Sequence, residues 1–455
     1  MDARDGFVIG SFGDTRRAAA GAFVFERIVS TGSLVVRRLG VDRAGELSVH
    51  RFLSSPAVTL AEIAETAAVR TAAACRGRRI VAVQDTTEID FTGRDRRRRG
   101  LGANASGGLG FYVHPLIAVD RDSEAVLGVL DVHIWTRGPR PAPDRHLRPL
   151  EEKESYRWLA GTMAAANRLG EAASVVVVMD REGDLYPHFA RRPASVDLIV
   201  RARHDRTLAG SSALFAAPES WPELGRITVR LAARGPGDPG RSATLALRAR
   251  TVVINRPVYH YEPADPQTLT LTLVEAREID PPPHGELVCW RLLTTLPVAS
   301  LADAEEVVRM YRLRWRIEQV FRAAKTDGLR LEDTQVQKAQ CLFKLAAIAI
   351  LAATRILQLV DARDGSTRPA TDVLDAALLD TAAAIGRSKQ GATPRQQNPH
   401  THGSLAWLAW IIARLGGWNC YYKPPGPKTM RIGWDQFAAM AAGFAVAKLP
   451  APQHP

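Results

Sequence analysis

Apolar and polar positions change their period several times along the chain, and each change marks a different kind of element. Between residues 14 and 74 the apolar residues recur at helical spacing. Asp14 is placed to cap a helix over 16–29, and Thr59 to cap one running through LAEIAETAAVRTAAA. From residue 79 the pattern turns to β. IVAVQDTTEIDF is rich in β-branched and apolar residues, and its apolar run ends on a carboxylate, Asp85. FYVHPLIAVD and AVLGVLDVHIW read as two strands of a hairpin turning at 121–124. A Pro-rich linker, RGPRPAPDRHLRP, leads to a helix, EEKESYRWLAGTMAAANRLG, closed by Gly170. SVVVVMD is a second apolar run that ends on a carboxylate, Asp180, and a short helix and the strand VDLIVRARH follow it.

The unbroken apolar stretch 175–178 predicts a strand covered on both faces, hence a mixed sheet layered by helices. Asp85 and Asp180 then stand near the C-terminal ends of strands, where open α/β sheets place their chemistry. Residues 205–297 interrupt this scheme. RITVRLA, ATLALRARTVVI, QTLTLTLVEARE and ELVCWRLLTT alternate strictly between Gly- and Pro-rich turns, which predicts an antiparallel β insertion.

Residues 303–328, DAEEVVRMYRLRWRIEQVFRAAKTDG, then read as a single long helix. Met310, Leu313, Ile317, Val320, Phe321 and Ala324 fall in one apolar sector. Opposite it, Tyr311, Arg314, Glu318 and Lys325 lie at i, i+3, i+7 and i+14, within roughly a 60° arc. A surface ladder of ion pairs spaces its charges four apart and needs no aligned tyrosine. Beyond residue 328 the chain is helical and rich in Ala and Leu. SKQGATPRQQNPHTHG reads as a linker before a last segment whose Trp and Leu positions are expected to pack inward. The domains expected are helical 1–76, catalytic 77–330 with its insertion at about 205–297, and helical 331–455.

Charge narrows the class of partner. Sixty Lys and Arg against 48 Asp and Glu leave the chain at +12, which favours a polyanion, nucleic acid before membrane. The Gly-rich loop TGRDRRRRGLGANASGGLG carries Arg94 and Arg96 to Arg99 and is suited to backbone phosphates. The most apolar stretch, 341–360, contains Lys344 and Arg355, so a buried helix is expected rather than a membrane span. Cys75, Cys289, Cys341 and Cys420 are far apart and form no metal-binding spacing. Reduced thiols in a cytoplasmic protein are expected.

Asp85 and Asp180 at strand ends and Glu318 on a helix packed against the same sheet make a carboxylate trio. Such a trio repels itself unless a cation neutralises it, and hard oxygen donors favour Mg²⁺ or Mn²⁺ over zinc. With these residues assembled, the chain resembles the DDE transposases of the retroviral-integrase-like superfamily. The likeness is to the bacterial insertion-sequence group typified by the cut-and-paste transposase of transposon five. The signature of that group is Tyr, two residues, Arg, three residues, Glu, six residues, Lys, and it is present here as Tyr311, Arg314, Glu318 and Lys325. VQDTTEID around Asp85, EKESYRWLA at Glu152 and MDREGD around Asp180 also match. So do Trp290, which precedes Tyr311 by 21 residues, and the basic cluster Arg201, Arg203 and His204.

The resemblance implies a ribonuclease-H-like α/β core interrupted by the β insertion, an N-terminal domain that binds element ends, and C-terminal helices for dimerisation on DNA. Asp85, Asp180 and Glu318 would be both catalytic and ligands of two Mg²⁺ ions, with Mn²⁺ able to substitute. The chemistry would be nicking at an element end, 3′-hydroxyl attack through a hairpin, and strand transfer into double-stranded target DNA. Tyr311, Arg314 and Lys325 would hold phosphates, and Trp290 would stack on a flipped base. Arg322, one turn beyond Glu318, is a further candidate phosphate ligand from its position alone. The alternatives are a nuclease on the same fold and a DNA-binding regulator that has lost catalysis.

Overall fold

The computed structural model describes residues 7–93, 98–105, 107–138, 148–210, 212–231, 240–258, 264–282, 287–325 and 328–447. Four helices open the chain: α1 (Thr15–Thr31), α2 (Val36–Gly40), α3 (Arg43–Ser54) and α4 (Leu60–Cys75). The side chains of Asp14, Asp42 and Thr59 accept from Arg16 N, Gly45 N and Glu62 N, so α1, α3 and α4 each begin with an orphan donor satisfied. Next come β1 (Arg79–Gln84), β2 (Thr87–Asp90), β3 (Gly102–Ala103), β4 (Leu109–Asp120), β5 (Val126–Trp135), α5 (Tyr156–Arg168), β6 (Ser174–Met179), α6 (Tyr186–Arg191) and β7 (Asp197–Arg201). The insertion supplies β8 (Gly225–Leu231), β9 (Arg241–Asn255), β10 (Thr268–Glu278) and β11 (Cys289–Thr294). Helices α7 (Leu301–Arg312), α8 (Trp315–Ala324), α9 (Ala339–Ala362), α10 (Leu379–Ser388), α11 (Leu405–Leu415) and α12 (Pro427–Ala447) follow.

All the strands belong to one mixed sheet ordered β2-β4-β1-β6-β7-β11-β10-β9-β8, with β3 and β5 also paired to β4. Strands β1, β6 and β7 run parallel, and the remaining pairs are antiparallel. The insertion is therefore not a separate β layer. Its last strand, β11, pairs with β7 from Ile199 to Arg201, and the insertion extends the β1-β6-β7 sheet edge to edge.

Two registers decide where the acids go. Along β4, β1 and β2 follow one another in a single continuous register, Gln84 opposite Leu116 and Thr87 opposite Val113. The ladder is broken only at Asp85 and Thr86, which fall opposite Pro115 and His114. Pro115 has no N–H to give, so IVAVQDTTEIDF is two strands with Asp85 at the gap, where a single run was expected. In the parallel pair, Arg79 lies beside Ser174 and Val83 beside Val178. Carried two residues further, that register sets Asp180 beside Asp85.

Alternation then fixes the face. Val81, Val83, Val176 and Val178 belong to the core under α8 and α9, with Ile317, Val320 and Leu345. Ile80, Ala82, Val175 and Val177 belong to the opposite core, with Trp158 and Ala165 of α5. Asp85 and Asp180 continue the α8 face, and Thr86 continues the α5 face. The α8-side core is continuous from α1 and α3 across the sheet to α9, α11 and α12. Helix α9 is long and apolar enough to cross a membrane, yet 83% of its apolar window is buried inside the protein. Its Lys344, itself buried, donates to the carbonyls of Leu53 and Ser55 and so closes the C-terminal end of α3.

The single helix expected over 303–328 is two helices. Arg314 N bonds to Tyr311 O, Arg316 N to Leu313 O and Ile317 N to Arg314 O, so the backbone tightens to i→i−3 bonds between α7 and α8. The expected apolar sector nevertheless faces inward: Met310, Leu313, Ile317, Val320, Phe321 and Ala324 are all buried. Trp407 and Trp410 of α11 are likewise buried, as expected.

Candidate active site

Asp85, Asp180 and Glu318 come from positions far apart in the chain and line one cleft of about 450 Å³. Thr86, Thr87, Glu182, Arg314, Phe321, Arg322 and Lys325 complete its wall. The sheet registers deliver the two aspartates side by side, and α8 lays Glu318 across their face. Each aspartate is held by a nearby backbone N–H, Asp85 by Thr86 N at 2.8 Å and Asp180 by Glu182 N at 2.9 Å.

Arg314 lies between the acids. Its Nη1 pairs with Asp85 Oδ2 and reaches Glu318 Oε1 at 3.5 Å. Burial pushes the Asp85 carboxyl up to about 7; Arg314 opposes that rise, while Asp180 and Glu318 add to it. Burial works against the charge of Arg314 as well, but Asp85, Tyr311 and Glu318 outweigh it and raise its pKa. Among the described residues no trio of His, Cys, Asp or Glu side chains is arranged, as it stands, to hold an ion. The guanidinium takes up the space between Asp85 and Glu318 and serves as their counter-charge. In donor chemistry the cleft suits a hard cation, since its wall offers carboxylate and hydroxyl oxygens and no imidazole or thiol.

The other expected residues divide into groups. Lys325 caps the end of α8 and lies in the same cleft. Its Nζ donates to Glu88 O at 2.6 Å and pairs with Glu332 at 3.3 Å, a partner that no local spacing marks out. Arg322 is exposed on the rim and also lines a neighbouring groove of about 770 Å³. That groove gathers Arg38, Arg316, Arg363, Lys428 and Arg431 against Asp361 and Asp364. Tyr311 is buried and tilts its ring against half-buried Trp290, with centroids 5.8 Å apart. Both line a second cleft with Arg201, Arg230 and Arg312, and Arg314 lies in the walls of both clefts. Trp290 is thus neither a full core residue nor an isolated surface one.

Arg203 and His204 are exposed and do not line the acid cleft. Their backbone N–H groups instead hold the buried carboxylate of Asp184 at 2.7 and 3.1 Å, and Arg206 pairs with it at 2.7 Å. In the basic loop, Arg94, Arg96 and Arg97 lie outside the described residues. Arg98 is turned inward, donating to Thr334 O at 2.6 Å and covering the Phe91 ring, which corrects its expected role as a phosphate contact. Glu152 sits in a single 3₁₀ turn away from the acid cleft.

Residues 147–354 match the family model described as the transposase DDE domain. The match contains Asp180 and Glu318, whereas Asp85 precedes it, and it supports a DDE transposase.

Proposed function

We propose that the chain is a metal-dependent DDE transposase of the transposon-five type, with Asp85, Asp180 and Glu318 as its catalytic acids. The observation that carries this is the convergence of those three carboxylates in one cleft, walled by Arg314, Arg322 and Lys325. Two divalent cations held by the acids would activate the attacking oxygen and stabilise the leaving one. The chain's own residues do the rest. Arg314 balances the acids and borders both clefts, so its planar fork can take a phosphate at the point where a strand passes from one to the other. Arg322, on the rim, receives backbone approaching from the cationic groove, and Lys325 sits one to two nucleotides beyond Glu318. Trp290, backed by Tyr311, offers a π-face to a base leaving the stack, which is what a hairpin at a blunt end requires.

The test uses DNA from the inverted repeats flanking the reading frame, with a second duplex present as target. Mg²⁺-dependent nicking and joining of the 3′ end to the second duplex are expected. Asp85→Asn, Asp180→Asn and Glu318→Gln should each abolish both while DNA binding survives. Cleavage without joining would assign the chain to the nucleases, and full activity in any of the three variants would sink the assignment of the acids.

A further inference from the structure

On the opposite face of the sheet from the three acids, Arg157 of α5 grips the two residues that hold the aspartates. Its Nε donates to Thr86 Oγ1 at 3.1 Å and its Nη2 to Glu182 Oε2 at 2.6 Å. Thr86 and Glu182 are the same residues whose backbone N–H groups hold the Asp85 and Asp180 carboxylates. One guanidinium thus bonds the first residue after Asp85 and the second after Asp180, and it is no part of the cleft wall. Its side chain is only 8% exposed, with a third bond to Glu154 O at 2.8 Å.

A chain of buried hydrogen bonds closes the same loop from behind. Thr86 Oγ1 meets His114 Nδ1 at 2.9 Å, and His114 Nε2 meets Gln84 Oε1 at 3.1 Å. Gln84 Nε2 reaches Thr162 Oγ1 at 3.3 Å, Thr162 Oγ1 meets His188 Nε2 at 2.7 Å, and His188 Nδ1 meets Gly183 O at 3.2 Å. The acceptors and the neutral imidazoles set the direction of the chain. Gly183 O can only accept, so a neutral His188 carries its proton on Nδ1 and accepts on Nε2 from Thr162, whose hydroxyl meets this nitrogen at 2.7 Å and the competing acceptor Trp158 O at 3.2 Å. Gln84 Nε2 also donates to Trp158 O at 3.0 Å, so Oε1 faces His114, which is protonated on Nε2 and accepts from Thr86 on Nδ1. The donors run one way, from Arg157 through Thr86, His114, Gln84, Thr162 and His188 to Gly183, beside the Glu182 that Arg157 also holds. Burial keeps both imidazoles neutral, as this order requires. Gly161 allows the approach, because a Cβ there would stand 2.2 Å from Gln84 Oε1.

We infer that Arg157 is a positioning residue that fixes the spacing of Asp85 and Asp180 through this closed ring. The inference rests on the reading of those acids as ligands of a divalent cation. A carboxylate pair that must share cations depends on its outer partners, and losing such a partner weakens metal binding about 10- to 100-fold. The test measures Mn²⁺ binding to the full chain by calorimetry. Arg157→Gln and Thr86→Val should each weaken binding within that range, and Arg157→Lys, which keeps one contact, should recover part of it. Wild-type Mn²⁺ affinity in Arg157→Gln and Thr86→Val, alongside weakened binding in Asp85→Asn, would overturn the ring. Wild-type affinity in Asp85→Asn would overturn the metal reading itself. Should Arg157→Gln misfold, the near-isosteric Thr86→Val decides. A metal-independent check is the nitrogen-15 spectrum of histidine-labelled protein, where the Nε2–H tautomer of His114 should be present and should shift in Thr86→Val. An unshifted His114 would also overturn the ring.

Discussion

The most direct quantitative consequence of the cleft is an unusual pH dependence at Asp85. Its carboxyl is raised from 3.8 to about 7, chiefly by burial. A carboxyl raised in the folded chain keeps its proton there after the unfolded chain has lost it. Stability must therefore fall as pH climbs through the window from 3.8 to about 7. At 1.36 kcal/mol per pH unit, the full loss is about 4 kcal/mol, and integrating between pH 5 and 8 leaves about 2–3 kcal/mol. Asp85→Asn removes the titration and also loses the charged contact with Arg314, so its stability at a single pH is a mixture of two effects. The informative quantity is a double difference: urea unfolding of both proteins at pH 5 and at pH 8, in a chelator. Wild type should lose about 2–3 kcal/mol more than Asp85→Asn over that interval, because losses independent of pH cancel. Excess Mg²⁺ at pH 8 should then restore wild type and leave the variant where it was. Parallel pH curves for the two proteins would show that Asp85 titrates normally, and that burial and its neighbouring acids do not act on it as argued.

Three further outcomes follow from other parts of the molecule. Lys344→Met leaves the Leu53 carbonyl without its donor and removes one of the two donors to Ser55 O, which Val58 N also meets at 3.3 Å, and should lower stability by about 1–3 kcal/mol, measured by the same unfolding assay. Neutralising Arg38, Arg322 and Lys428 together should flatten the slope of log affinity for duplex DNA against log salt by about 2–3, since each phosphate contact contributes about 0.9. An unchanged slope would place the DNA elsewhere than in the cationic groove. Trp290→Ala should weaken binding to a duplex with an unpaired terminal base by about 1–3 kcal/mol, while fully paired ends bind as before. Equal losses on both substrates would make Trp290 a packing residue.

Much of this arrangement could be read from the chain because it rests on local rules. The caps at Asp14 and Thr59, the alternation of the insertion strands and the apolar sector of 303–328 depend on neighbouring residues, and local chemistry decides them. Asp85 and Asp180 were visible because an apolar strand that ends on an acid is a local pattern as well. What escaped was set by pairing at a distance. No local signal breaks the helix at Leu313–Arg314, where neither Gly nor Pro stands, and the step exists only in its i→i−3 bonds. Arg157 sat inside a stretch already singled out, yet only the fold brings it to Thr86 and Glu182 at once. Arg98 looked like a phosphate ligand because a run of arginines carries no mark of which one turns inward.

The continuity of the sheet ties these pieces into one mechanical unit. Trp290 lies on β11, opposite Ala276 of β10, and the next residues of β11 pair with the end of β7. β7 in turn pairs with β6, whose end carries Asp180, and β6 with β1, whose end carries Asp85. Under the proposed function, a base at Trp290 and a phosphate among the acids would therefore be referenced to the same backbone ladder. Arg314 is the only described side chain that walls both clefts as well as pairing with Asp85. A strand distorted at Trp290 would thus meet the acids at a fixed offset, and the spacing of the two clefts would be set by strand separation rather than by the course of a loop.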